Sequence, residues 1–392
     1  MNPEFQSSSA YPRRKAVETV ATCAFFLAAL FTPLALSGAG LGRDDRILSQ
    51  SEYRKPSPRP AFPLGIAEGM RFPWQWDDYW RDAFPYRGPL IRVQAHVRHR
   101  TLGANGLESI FLEDGYVFGL AHIDRYRGKI MLRDGEIDRF LEIIRLKREF
   151  FRKAGISYYF VMAPSRLDFC RDLFRGAFRL PDRHVLSTRI DERMPEDIRK
   201  YYIVPDGAMR EAQARHPERL LFYKRDCHWN EWGRTVAAAE IIRFLRAEFP
   251  ALPPLDPEAV PFVSVPEDQE FWYDLRALGV AFDAFPVPMI EKTSPAWTEE
   301  YRRLQADRSR SPLTMVYASD SFMEVLSDRS PEILSFASVD RAGTWENILG
   351  APAGCRQVLD AKPDVVLESI YIDALTTWRY LEKNAAWESA EK

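Results

Sequence analysis

Hydrophobic and polar positions along the chain fall into three patterns, each predicting a different kind of element. The first is a mostly apolar run from Val20 to Leu41, broken by few polar residues and by Pro33. About 20 such residues can cross a bilayer as a helix. Arg13, Arg14 and Lys15 precede the run, and a basic flank there predicts a cytoplasmic N-terminus. A cleaved signal peptide is the competing possibility, since Ala35 and Ser37 would suit a signal peptidase. The run is long for that, so an uncleaved single-pass anchor is expected. Either way the rest of the chain is exported.

The second pattern is helical. Near Glu136 to Ala154, Ile137, Phe140, Leu141, Ile144 and Phe151 share one face, and Gly155 follows as a stop. Helices are also predicted near Ala208 to His216, from about Glu231 to Phe249, and near Met323 to Phe336. The third pattern is the unalternating apolar run, found at Ile156 to Ala163, Leu220 to Tyr223, Leu313 to Ala318 and Lys362 to Tyr371. Such runs suit parallel strands buried on both faces. Phe111 to Leu120 reads as a hairpin turning at Asp114-Gly115. Strands alternating with helices predict an α/β fold with a doubly wound, mostly parallel sheet.

The expected organisation is a cytoplasmic tail (1–15), a transmembrane signal-anchor (16–41), a linker (42–69), one catalytic domain (70–381) and a tail (382–392). Pro56, Pro58 and Pro60 stiffen the linker. The aromatic cluster from Phe72 to Tyr86 is read as packing onto the domain in preference to a glycan platform. The basic stretch RVQAHVRHR is read as a solvated helix face, not as a metal site at His96 and His99. Pro250 to about Ser311 is an irregular excursion.

Composition changes the picture little. A formal net charge of −2 leaves no footprint for nucleic acid. The four cysteines show no metal-ligand spacing and allow at most one disulfide outside the apolar N-terminal run. No metal or other cofactor is expected.

Candidate chemistry gathers at two places. LLFYKRDCHWNEW, Leu220 to Trp232, carries Asp226 and His228 two residues apart. ASDSF, Ala318 to Phe322, carries Ser321 just after an apolar run. A serine nucleophile needs an imidazole to take its proton, and the imidazole needs an acceptor at its far nitrogen. Asp226, His228 and Ser321 are those three types. Ser165 also follows a buried run, but Ser321 opens a helix-like segment whose amides could stabilise an oxyanion. Cys227 adjoins His228 and is read as a structural thiol. Asn230 is a candidate N-cap for the following helix.

These residues resemble a known family. DCHWN is similar to the Asp-Thr-His-Trp motif of the alginate O-acetyltransferases of the AlgJ/AlgX type, whose domain is SGNH hydrolase-like, and ASDSF resembles their Gly-Asp/Asn-Ser-Phe turn. EDGYVF resembles the Gly-Trp-Leu-Phe hairpin, APSR the Pro-x-Lys strand end, YDL at Tyr273 to Leu275 the Gly-Asp-Leu, and KPDVVL the last strand. Cys227, Ser319 and Arg166 depart from the family's threonine, glycine and lysine. Its Glu-Arg after the last strand has no clear counterpart in ESIYIDAL.

The resemblance implies a flavodoxin-like three-layer domain that is inner-membrane-tethered and periplasmic. It implies an O-acetyltransferase acting on a bacterial exopolysaccharide, closer to the AlgJ branch. Asp226 would orient His228, His228 would act as base, and Ser321 would carry the acetyl group, with Trp229, Arg166 and Tyr371 touching substrate. Partners would be the polysaccharide acceptor and a membrane-bound O-acyltransferase as acetyl source. A secreted carbohydrate acetyl esterase would use the same triad with water as acceptor. A non-catalytic assembly scaffold would not need the triad.

Overall fold

The computed structural model describes residues 10–39, 55, 57–87, 90, 93, 109–112, 115–174, 180–266, 289–297, 313–320, 322, 338–344, 349–377 and 379–389. The chain divides into two compact units, residues 1–104 with 275–284, and residues 105–274 with 285–392.

In the first unit, α1 (Ala10–Gly38) is one helix with a mean hydropathy of 1.6 over Ala16–Pro33, long and apolar enough to cross a membrane. Helix α2 (Ile66–Ala83) starts inside the stretch expected to be linker. Its Phe72, Trp76 and Tyr79 rings follow one another at 5.9 and 5.7 Å along one face. Trp74 and, to a lesser degree, Trp76 are exposed. The expected histidines His96 and His99 lie outside the described residues.

The second unit opens with the expected hairpin, β1 (Ser109–Phe111) antiparallel to β2 (Val117–Gly119), with Gly115 at φ 80° in its turn. Helix α3 (Leu120–Tyr126) follows, then α4 (Asp134–Lys153), ending before Gly155 at φ 76° as its apolar period predicts. Next come β3 (Ser157–Ala163), α5 (Val185–Arg193), β4 (Tyr202–Ile203), α6 (Asp206–Arg215) and α7 (Glu231–Leu245). The Pro-rich excursion is rooted by a second hairpin, β5 (Phe262–Pro266) with β6 (Met289–Thr293). The last strands are β7 (Thr314–Ser319), β8 (Ser338–Thr344) and β9 (Val365–Tyr371).

Five strands form one parallel sheet in the order β4-β3-β9-β7-β8. All seven residues of β9 are buried, as an unalternating apolar run requires. Neighbouring residues on a strand face opposite ways, and the two sides carry different helices. Tyr158 turns toward α4, donating to Glu368, which also pairs with Lys147. Tyr159 turns toward α7, its ring 6.2 Å from Phe244. The result is a helix–sheet–helix sandwich, the doubly wound α/β class that the sequence predicts. None of the four cysteines is in a disulfide.

One predicted strand is absent from this sheet. Leu220 to Tyr223 forms a loop closed by a single antiparallel bridge, Phe222 to Trp229. Its apolar side chains are buried by packing, not by pairing in the sheet.

Candidate active site

That loop is what presents the Asp-x-His pair. Tyr223 N donates to His228 O at 3.1 Å and Asn230 N to Leu221 O at 3.0 Å, which folds residues 223–228 into a bend. Asn230 is the N-cap of α7, its Oδ1 accepting from Gly233 N at 2.9 Å, while its Nδ2 donates to Leu220 O at 2.6 Å. A Cβ on Gly233 would lie 2.0 Å from Leu221 O. Only glycine lets the first turn of α7 press against the loop.

Within the bend, Asp226 is buried and its Oδ1 accepts from the His228 backbone N–H at 2.9 Å. The same oxygen is hydrogen-bonded to His228 Nδ1. An ionised carboxylate only accepts, so Nδ1 carries the proton and Nε2 is the basic nitrogen. Burial pushes the Asp226 carboxyl up, but the charge and hydrogen bonds of His228, with the Arg166 charge, hold it below its ordinary value. Cys227 Sγ stands 3.9 Å from His228 Nδ1. One ligand atom each from Asp226, Cys227 and His228 lie within 4.8 Å of one another, yet the carboxylate and imidazole already satisfy each other.

Arg166 was expected to touch substrate, and the structure gives it other work. It is 3% exposed, and Nη1 donates to Tyr223 O (2.8 Å) and Asp226 O (2.7 Å) while Nη2 donates to Val117 O (2.5 Å). The guanidinium clamps the bend to the β2 hairpin, with its carbon 4.2 Å from the Phe118 ring centroid. Trp229 is likewise buried, its Nε1 donating to Phe322 O at 2.9 Å. The indole brackets the Asp–His bend to the segment after β7. The Tyr273 to Leu275 motif lies outside the described residues.

Ser321 also lies outside the described residues, but both its neighbours are placed. Asp320 follows β7, and its carboxylate accepts from Phe322 N at 3.0 Å and Tyr371 N at 2.5 Å. The Phe322 ring stacks on Tyr371 at 4.2 Å and lies 4.5 Å from the His228 ring. Asp226, His228, Trp229, Phe322 and Tyr371 therefore meet at the carboxyl ends of β7 and β9, where doubly wound sheets bind ligands. The rival serine, Ser165, is 1% exposed.

Three residues at this end escaped the sequence reading. Asp373 Oδ2 accepts from the Tyr371 hydroxyl at 3.1 Å and meets His122 Nδ1 at 2.6 Å, and its Oδ1 meets His184 Nε2 at 3.0 Å. His122 and Asp373 are 251 positions apart, so no local motif could have announced them.

Residues 126–310 match the family model described as SGNH hydrolase-like domain, acetyltransferase AlgX. Over that stretch, just under half of its length, the chain resembles the AlgJ/AlgX-type acetyltransferases. Three solved structures are similar to it. The O-acetyltransferase domain of Pseudomonas putida AlgJ is 15% identical, with TM-score 0.44, over 71% of this chain and 99% of that one. Pseudomonas aeruginosa AlgX is 12% identical, TM-score 0.44, over 71% and 67%. Bacillus cereus PatB1 is 10% identical, TM-score 0.46, over 68% and 97%. No curated protein matches the chain.

Proposed function

We propose that this chain is an exported polysaccharide O-acetyltransferase working through Asp226, His228 and Ser321. The observation that carries the proposal is the Asp226–His228 pair held beside Phe322, the residue that follows Ser321. Ser321 attacks the acetyl carbonyl while His228 Nε2 takes its proton. The tetrahedral intermediate collapses, the donor's leaving group departs with that proton, and acetyl-serine remains. His228 then deprotonates a sugar hydroxyl, which attacks the acetyl-serine and regenerates the enzyme. Tyr371 floors the site through Phe322, and Arg166 fixes the bend from behind. Helix α1 would tether the domain to the inner membrane with the catalytic unit in the periplasm, where a membrane-bound O-acyltransferase would supply acetyl.

The decisive assay supplies the full-length protein with a surrogate acetyl ester and a panel of bacterial exopolysaccharide oligomers. Acetylated sugar, with faster consumption of the ester when acceptor is present, is the expected result. Free acetate as sole product with every acceptor, together with loss of acetyl groups from native glycan, would establish the esterase instead.

A further inference from the structure

The first unit leaves a row of large apolar side chains in the open. Helix α2 starts at Ile66, and the helical period puts Ile66, Met70 and Trp74 on one face. They are 89%, 74% and 75% exposed. Phe62 and Leu64, just before the helix, are exposed as well. Next to this row on the helix surface, Phe72, Tyr79 and Trp80 are partly covered. The helix therefore carries a wider apolar arc than its surroundings cover. Glu68, Arg71 and Gln75 make up the polar side. Past Trp74 the exposed row turns charged, with Asp77 and Arg81 paired to each other. Single apolar side chains are ordinary on a protein surface, but a contiguous row is not.

The neighbouring chain indicates what covers it. Helix α1 is long and apolar enough to cross a membrane, and about 27 residues separate it from α2. A flexible chain of that length spans roughly 30 Å on average. A bilayer crossed by α1 is thus always within reach of α2, and adsorption becomes an intramolecular event at high effective concentration. The side chains also suit that surface. Trp and Phe settle at the level of the headgroups, while Ile, Leu and Met enter the upper acyl region. Arg54, Lys55 and Arg59 stand immediately before the row, with no acidic residue from Arg54 to Ala67. Cations placed there complement the phosphates of anionic lipids.

We propose that α2, with the Phe62 to Leu64 segment before it, lies in the plane of the bilayer surface with Ile66, Met70 and Trp74 immersed. The inference rests on the reading of α1 as a membrane anchor and adds a second, peripheral hold on the same bilayer. The Asp77–Arg81 pair marks where the immersed part ends.

The test uses full-length protein in vesicles of phosphatidylethanolamine and phosphatidylglycerol. A photoreactive side chain is introduced at one position at a time: Trp74→p-benzoylphenylalanine on the row, Gln75→p-benzoylphenylalanine on the polar side and Phe25→p-benzoylphenylalanine in α1. After illumination, mass spectrometry identifies what each position has captured. Lipid capture at position 74 should exceed that at position 75 by about tenfold. Adding Ile66→Ser and Met70→Ser to the Trp74 variant should remove most of it. Capture of the protein's own residues or of a second copy in place of lipid, equal lipid capture at positions 74 and 75, or no capture at position 74 would overturn the assignment. Position 25 separates the two readings. Lipid there but not at position 74 keeps the anchor and removes the surface helix; lipid at position 74 but not at 25 does the reverse.

Discussion

Arg166 offers the sharpest probe of how the catalytic bend is held. Arg166→Met keeps much of the stem's bulk beside Phe118 but removes three hydrogen bonds, leaving the carbonyls of Val117, Tyr223 and Asp226 without this donor. Each buried acceptor left unpaired costs about 1–3 kcal/mol. Entry of water lowers the sum, so a loss of about 3–5 kcal/mol is expected. That is a large share of the roughly 5–15 kcal/mol that holds a typical domain together. Arg166→Lys keeps the charge, but an ammonium cannot reproduce the planar fork, so about 1–3 kcal/mol should be lost. Urea unfolding reads the stability. Surrogate-ester turnover under conditions where the variant is folded reads the bend, because a shift of about 1 Å at His228 costs up to about 100-fold in rate. If Arg166→Met changes stability by under about 1 kcal/mol and leaves turnover intact, Arg166 does not hold the bend.

Two further outcomes are expected. Lys147→Met strands Glu368, whose carboxylate is fully buried with Lys147, Tyr158 and Tyr380 around it, and should cost about 3–5 kcal/mol. Adding Glu368→Leu should recover much of that in urea unfolding; a double variant no better than Lys147→Met would contradict the pairing. Acid sensitivity comes from Asp226 and Asp373, both held below the ordinary aspartate value of 3.8. A depressed carboxyl contributes stability that is present above the unfolded value and lost as pH falls through the folded one. Unfolding free energy should therefore drop below about pH 4, with a shallower slope in Asp373→Asn; an unchanged slope would remove Asp373 from the account.

Much of the sheet was legible because its central strands are buried on both sides. Ile156 to Ala163, Leu313 to Ala318 and Lys362 to Tyr371 are apolar without alternation, and each contains a strand of the sheet. The α4 period and the Asn230 cap were equally readable, since both are local. β8 was not, for SVDRAGT lies at the sheet's edge and carries two charges and a glycine. β4 was missed because two residues make no pattern. Leu220 to Tyr223 misled in the other direction, because apolar burial in a packed loop looks the same in sequence as burial in a strand. Lys147 on the apolar face of α4 and Glu368 within an apolar run were visible anomalies, and each proved to be the other's partner. The Asp-x-His pair could be found because its members are two residues apart. The Asp373 cluster joins three distant segments and could be found only in the fold.

In the proposed mechanism Ser321 carries the acetyl group under the direction of His228 and Asp226. The measurement that meets it most directly is peptide mapping by mass spectrometry after the full-length protein is exposed to a surrogate acetyl ester without acceptor. Wild type should carry a single acetyl on Ser321, accumulating far more slowly in His228→Ala and Asp226→Asn and absent in Ser321→Ala. An acetyl group found on Ser165 or Cys227 instead, or labelling of Ser321 that is indifferent to loss of His228, would contradict it.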